Sequence, residues 1–73
     1  MTPVIQREWR PIQEFTNYEI NADGVIRKRS NQTRIATYVD VTGLNTCQLF
    51  RDGKRYLRSV NALTKRAFPT HYL

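Results

Sequence analysis

The chain has 73 residues, and 12 Lys and Arg side chains against 6 Asp and Glu side chains give a formal net charge of +6 at pH 7. This length allows a single domain over residues 1–73, with a small core and no deep cleft between lobes. The one cysteine, Cys47, excludes an internal disulfide, and with the one histidine, His71, it is too little for a metal site. No apolar run has the length of a membrane span, and charges interrupt any signal-peptide pattern. The sequence therefore predicts a soluble, cytoplasmic domain without cofactor or membrane contact, and it leaves a homodimer open.

The positive charge is concentrated in the second part of the chain. Residues 1–24 hold two basic and four acidic side chains, whereas residues 25–73 hold ten basic and two acidic ones. A surface this positive is typical of proteins that bind polyanions, above all nucleic acids. The simpler interpretation is a basic face that only meets solvent.

The first elements in chain order are extended. Residues 1–8 form a loose entry, and Trp9, Ile12 and Phe15, interrupted by Pro11, favour an extended or turning segment whose apolar side chains close one end of the core. Residues 18–21 and 25–29 then flank a turn of Ala, Asp and Gly, which predicts a β-hairpin. Because alternate strand residues share a face, an inward Ile26 places Arg27 and Arg29 together on the outside.

A second hairpin follows a polar loop at residues 30–34 and a short, irregular strand within residues 35–41, through Tyr38, Val39 and Val41. Residues 46–51 and 54–59 flank Asp52-Gly53, a pair that favours a tight turn with positive φ at both residues. A two-residue loop pairs Leu49 with Tyr56, and a three-residue loop sets Leu49 against Leu57. Both registers stay open at this point.

The chain ends in a short helix. Ser59 or Asn61 is the expected N-cap of a helix through residues 62–67, with Leu63 and Ala67 facing the sheet. Pro69 ends the helix, and residues 70–73 are expected to fray. The predicted fold class is α+β, a small antiparallel β-sheet built from two hairpins with a short C-terminal helix.

These elements also follow the order of a known motif. The run Glu8-Trp9-Arg10-Pro11-Ile12, then Phe15, residues 17–21 and residues 24–27, resembles the NUMOD4 motif at the front of many phage and intron HNH homing endonucleases. Residues 49–69 are similar to the stretch that leads into the HNH module of this family, so the resemblance covers residues 8–69. It implies a phage or mobile-element protein that lays a small antiparallel sheet against DNA.

The sequence departs from the family where catalysis is concerned. The position of Asn61 usually holds a histidine followed by Arg-Leu-Val, and here Asn61 is followed by Ala62 and Leu63. The metal-binding His and Asn residues of the HNH module have no counterparts, and a metal-dependent nuclease needs a histidine base and metal ligands together. We therefore expect a protein that is not an enzyme.

Charge and resemblance together predict a basic hairpin surface that contacts duplex DNA, since a β-ribbon fits the major groove. Lys54 and Arg55, beside the turn, are expected to contact phosphates. Three functions remain: a regulator or competitor of an HNH endonuclease, a phage effector that inhibits a host or rival protein, and a DNA-binding subunit of a separate nuclease. The candidate DNA-binding residues are Arg27, Lys28, Arg29, Arg51, Lys54, Arg55 and Arg58.

Several single residues have simpler structural explanations. Trp9 is expected to pack in the core, Cys47 to be a small buried residue, and Asp52 to serve only the turn. Tyr56, flanked by basic residues, is the aromatic side chain best placed to touch nucleic acid. Lys65 and Arg66 either lie on the solvated face of the helix or extend the basic surface.

Overall fold

The computed structural model describes residues 8–69, so the expected loose entry before Glu8 and the expected frayed tail at 70–73 lie outside the described residues. These residues form two three-stranded antiparallel sheets, with strand orders β1-β2-β3 and β4-β5-β6, and one C-terminal helix. The α+β class is confirmed, and each predicted hairpin gains a third strand in a sheet of its own. The elements are β1 (Arg10–Ile12), β2 (Phe15–Ile20), β3 (Ile26–Lys28), β4 (Thr37–Val39), β5 (Asn45–Arg51), β6 (Lys54–Ser59) and α1 (Val60–Ala67).

The first hairpin joins β2 to β3 through a turn built on Asn21. The Asn21 side chain accepts hydrogen bonds from the backbone N–H groups of Asp23 and Val25, at 3.0 and 2.9 Å, which is the local bonding that makes Asn a turn residue. Gly24 completes the turn at φ 83°, and a Cβ there would lie 3.2 Å from Cγ1 of Val60. The missing side chain at this turn therefore lets the start of α1 pack directly on it.

The second hairpin joins β5 to β6 with the tighter of the two registers. Leu49 pairs with Tyr56, so the loop has two residues, and Asp52 and Gly53 both take positive φ, 54° and 77°. This is the geometry that an Asp-Gly pair favours, because its twist matches that of the flanking strands.

The third strand of the second sheet is shorter than expected. β4 ends at Val39, and Asp40 starts a turn in which its carboxylate accepts from the backbone N–H groups of Thr42 and Leu44, at 2.8 and 3.0 Å. The Thr42 hydroxyl donates to the same carboxylate at 2.6 Å, and this hydrogen bond, followed by those from the backbone, lowers the pKa of Asp40. Val41 therefore lies outside the strand and is fully exposed, contrary to the predicted strand through that residue.

The helix begins at one of its two expected caps. The Ser59 hydroxyl accepts from the backbone N–H of Ala62 at 3.3 Å, and Asn61 lies inside the helix. Leu63 is buried and Ala67 half-buried, as predicted, and the helix is far too short and polar to cross a bilayer. The core of buried residues between the sheets and the helix is Ile12, Phe15, Tyr18, Ile20, Ile26, Cys47, Leu49, Val60, Leu63 and Phe68.

Two single-residue expectations have opposite outcomes. Cys47 is fully buried, and desolvation raises the pKa of its thiol to about 11, so at neutral pH it is a small, protonated core residue as expected. Trp9 is only half-buried and lies outside the core, and the guanidinium of Arg27 stacks on its ring at 3.8 Å from the centroid. The prediction for Trp9 is wrong because the edge strand β1 places it beside a cation instead of against the core.

Candidate nucleic-acid interface

The seven basic residues singled out from the sequence fall into three different environments. Two lie on the outside of the first sheet beside one carboxylate, and two are held against aromatic rings. The other three, Lys28, Lys54 and Arg55, make no ion pair or side-chain hydrogen bond with any described residue. The three groups therefore differ in how much positive charge they leave available to a ligand.

Arg27 and Arg29 share the outer face of the first sheet, as alternation predicted, and they share Glu19. Arg27 pairs with Glu19 across the β2–β3 ladder and forms an ion pair with its carboxylate. The two side chains are only 21% and 15% exposed. Nε of Arg29 lies 4.0 Å from the same carboxylate, and its Nη1 donates to the Thr16 carbonyl at 3.2 Å. Much of the positive charge of this pair is therefore offset within the sheet.

Arg51 and Arg58 flank the ring of Tyr56. Their guanidinium carbons lie 4.9 and 5.2 Å from the centroid of that ring, and 5.1 and 5.3 Å from the centroid of Phe15. Arg51 also donates to the carbonyl of Glu14 at 2.9 Å. These contacts orient both cations without neutralising them, since rings and carbonyls carry no net charge. They also cover part of Tyr56, which is half-buried.

The sequence did not single out a further unpaired cation, Arg34. It precedes β4 in a segment predicted to be a polar loop, and no strand periodicity marks it. A bridge between the backbones of Arg27 and Arg34 ties this segment to the edge of the first sheet. There the Arg34 side chain lines the same groove as Lys28, without an ion pair to any described residue. We call Lys28, Arg34, Lys54 and Arg55 together the basic face; Lys54 pairs with Arg51 and therefore points to the opposite side of β6 from Arg55, at the hairpin tip.

The groove arises because the segment before β4 leaves the second sheet. β4 pairs only with residues 45–47 of β5, and Ile35 instead donates its backbone N–H to the Ile26 carbonyl of the first sheet at 2.8 Å. The resulting groove has a volume of about 430 Å³, and among residues 8–69 no carboxylate lines it. Its lining residues are Tyr18, Lys28, Arg34, Ile35, Ala36, Tyr38, Gln48 and Phe50.

The second sheet presents a mixed aromatic and polar surface beside this groove. Cys47 and Leu49 point into the core, so the intervening Gln48 and Phe50 lie on the other side of the sheet. Across the ladder, Gln48 pairs with Leu57, and Phe50 pairs with Arg55. Phe50 also lines the groove with Lys28 and Arg34, so three cations of the basic face surround it. We call Tyr38, Gln48, Phe50, Arg55 and Leu57 the outer face.

The described residues contain no cluster of side chains suited to bind a metal ion. Within residues 8–69, no three His, Cys, Asp or Glu side chains come together where they could hold a metal ion, and His71 lies outside this range. On the helix, Arg66 forms an exposed ion pair with Glu14 at 3.3 Å, which ties the last turn of α1 to the β1–β2 turn. The functional groups at the candidate interface are therefore cationic and aromatic side chains.

The two three-stranded sheets and the short terminal helix have the fold of part of an HNH homing endonuclease. The comparison that shows this is with a structure of DNA binding and cleavage by the HNH homing endonuclease I-HmuI, at a TM-score of 0.76 and 21% sequence identity. The match covers 84% of this chain and 36% of that one, so this chain corresponds to about a third of that enzyme. No family model and no curated protein matches the sequence. The HNH-related fold is confirmed, and the NUMOD4 motif stays a prediction.

Proposed function

We propose that this protein binds duplex DNA without cleaving it, and that the basic face makes the principal phosphate contacts. The observation that carries the proposal is that, among the described residues, these cations have no ion-pair partner and no carboxylate lines the groove at Lys28 and Arg34. Unpaired charges of one sign repel one another, and a polyphosphate relieves that repulsion. The similarity in fold to a DNA-binding endonuclease supports the same conclusion.

The binding mode follows from which side chains are committed elsewhere. Lys54 and Arg55 directly follow the two-residue turn, where both are exposed and point to opposite sides of β6, so they reach a DNA backbone at the hairpin tip without rearrangement of the fold. Arg51 and Arg58, held on the Tyr56 ring, add charge on the side of the hairpin that faces the first sheet. Arg27 contributes least, because Glu19 already neutralises it. Most of these contacts are with phosphates, which implies modest sequence preference.

In its biological setting we propose a regulator or competitor that occupies sites used by an HNH endonuclease, encoded by a phage or mobile element and acting in the bacterial cytoplasm. A protein that binds the same DNA sites and does not cleave them would compete with such an enzyme. The setting follows from the resemblance of residues 8–69 to the NUMOD4 motif, and the similarity in fold to an HNH homing endonuclease supports the choice of such an enzyme as the competitor.

The test is a salt titration of binding to a labelled random duplex, followed by fluorescence anisotropy. Each neutralised phosphate contributes about −0.9 to the slope of log K against log salt. Four contacts from the basic face therefore predict a slope of roughly −3.6. A nearly flat dependence, with capture of a host protein instead, would favour the effector that inhibits another protein.

A second experiment tests the absence of catalysis. Pure protein with Mg²⁺ or Mn²⁺ is expected to leave supercoiled plasmid intact, because a metal-dependent nuclease needs ligands and a base that the sequence does not supply. Nicking that tracks the protein through purification contradicts the proposal. Nicking that persists unchanged in a variant that no longer binds DNA comes from a contaminating nuclease.

A further inference from the structure

Three large side chains on the outer face are exposed without a structural reason. Phe50 is 52% exposed, Leu57 51% and Tyr38 40%. The core of the sheet lies on its other side, where Cys47 and Leu49 are fully buried, so these three residues contribute little to that core. Exposed apolar groups that cluster instead of scattering indicate a contact surface.

The polar groups around these side chains narrow the choice of ligand. Arg55 lies across the ladder from Phe50, and Gln48 lines the groove together with Phe50. Lys28 and Arg34 border the same groove. Aromatic rings, one amide and several cations are the combination that binds nucleotides: rings stack on bases, an amide bonds base edges, and cations meet phosphates.

We propose that the outer face binds unpaired bases, so that the protein holds DNA with a short unpaired segment more tightly than fully paired DNA. This rests on the proposed function and deepens it by naming the form of DNA that is preferred. In a paired duplex the bases are stacked on one another and their faces are closed to a sheet surface. An unpaired base has both faces free, and the ring of Phe50 stacks on one of them.

The dimensions of the groove agree with this ligand. A volume of about 430 Å³ between β5 and the segment before β4 lies in the range of small-molecule sites and admits a single nucleotide. Tyr18 closes its floor, with its hydroxyl oxygen 3.2 Å from the backbone N–H of Phe50. That hydrogen bond satisfies a β5 donor which β4 leaves unpaired, and it holds Phe50 in place.

A second copy of the chain fits this surface less well. The whole chain carries a formal charge of +6, and three unpaired cations surround Phe50, so two such faces in contact repel one another. A polyanion removes that repulsion, whereas a dimer across this face increases it. The charge therefore favours nucleic acid over self-association.

The experiment compares two labelled DNAs that differ only in a central run of mismatched thymines. We expect the wild-type protein to bind the mismatched DNA about tenfold more tightly than the paired one, which corresponds to one base stacked on an aromatic ring. Phe50→Ala is expected to abolish that preference, so that its affinities for the mismatched and the paired DNA become equal. Phe50→Tyr keeps a ring and is expected to retain the preference.

The matched control is Leu44→Ala. The Leu44 side chain is 54% exposed, a fraction similar to the 52% of Phe50. It lies in the turn after Asp40, outside the outer face and the groove. Its replacement removes similar exposed apolar surface and is expected to leave both affinities unchanged. A 2-aminopurine in the mismatched run reports stacking directly, since its fluorescence falls when a ring stacks on it.

The outcomes separate this inference from the function on which it rests. Equal affinity of the wild type for both DNAs, or an equal loss of affinity for both in Phe50→Ala, overturns the proposal that the outer face binds unpaired bases. Either result leaves the proposed duplex binding intact. Absence of binding to either DNA overturns both proposals. Sedimentation that shows a wild-type dimer without DNA, converted to a monomer by Phe50→Ala, identifies the outer face as a contact between copies and also overturns the inference.

Discussion

Replacing Lys54 and Arg55 together with alanine is expected to weaken binding to every duplex about 10- to 100-fold at low salt and to reduce the steepness of the salt dependence by about 1.8, the share of two phosphate contacts. Both residues directly follow the Asp52-Gly53 turn, and neither has an ion pair with a described residue. Loss of phosphate contacts lowers affinity without altering sequence preference. Fluorescence anisotropy on two unrelated duplexes measures both quantities.

The control for this experiment removes the same charge elsewhere. A variant with alanine at Lys65 and Arg66 also loses two positive charges, from the helix, where Arg66 is paired with Glu14. We expect its affinity to fall much less than that of the hairpin variant. Equal losses in the two variants would show that DNA responds to net charge alone, and the hairpin would then have no special place in the interface. The comparison also decides whether Lys65 and Arg66 extend the basic surface.

Arg27→Ala is expected to act on stability instead of on DNA. Arg27 is mostly buried between the Glu19 carboxylate and the Trp9 ring. Its removal leaves a buried carboxylate without its main partner and uncovers the ring, at a cost of about 2 kcal/mol in the free energy of unfolding. Urea denaturation followed by circular dichroism measures this, and the salt slope of DNA binding at a temperature where the variant is folded should not change.

Arg27→Lys provides the conservative comparison. It keeps the charge but loses the planar group that both stacks on Trp9 and pairs with Glu19. We expect stability between those of the wild type and Arg27→Ala. If Arg27→Ala kept full stability and lost about one unit of salt slope, Arg27 would belong to the DNA interface, as the sequence first suggested.

These two predictions differ although Arg27 and Arg55 are equivalent in sequence terms. Both are arginines within or beside a hairpin, and both follow an alternation that points them away from the core. The strand register decides whether each cation has an ion-pair partner, because Arg27 lies opposite Glu19 and Arg55 lies opposite Phe50. One cation is thus neutralised within the fold, and the other stays available.

Local structure was largely predictable because its causes are local. The Asp52-Gly53 pair favours the second turn by its backbone preference, Ser59 is one of the two expected caps, and Cys47 is the small buried residue that was predicted. Each of these features depends on a few neighbouring residues. The fold class follows from them, since two hairpins and a helix must share one small core.

The division into two sheets and the composition of the site depend on contacts between distant residues. Arg51 reaches the carbonyl of Glu14, Tyr18 reaches the backbone of Phe50, and Arg34 reaches the groove only because Ile35 pairs with the first sheet. The alternation of side chains along a β-strand predicts which side of the strand a residue occupies, but it does not predict which residue of another sheet lies opposite. The sequence by itself determined the two hairpins, the short helix and the excess of positive charge, while the register of the second hairpin and the choice of Ser59 over Asn61 as N-cap came from the structure. Only the tertiary structure decided which cations remain unpaired, because pairing depends on distances that packing sets.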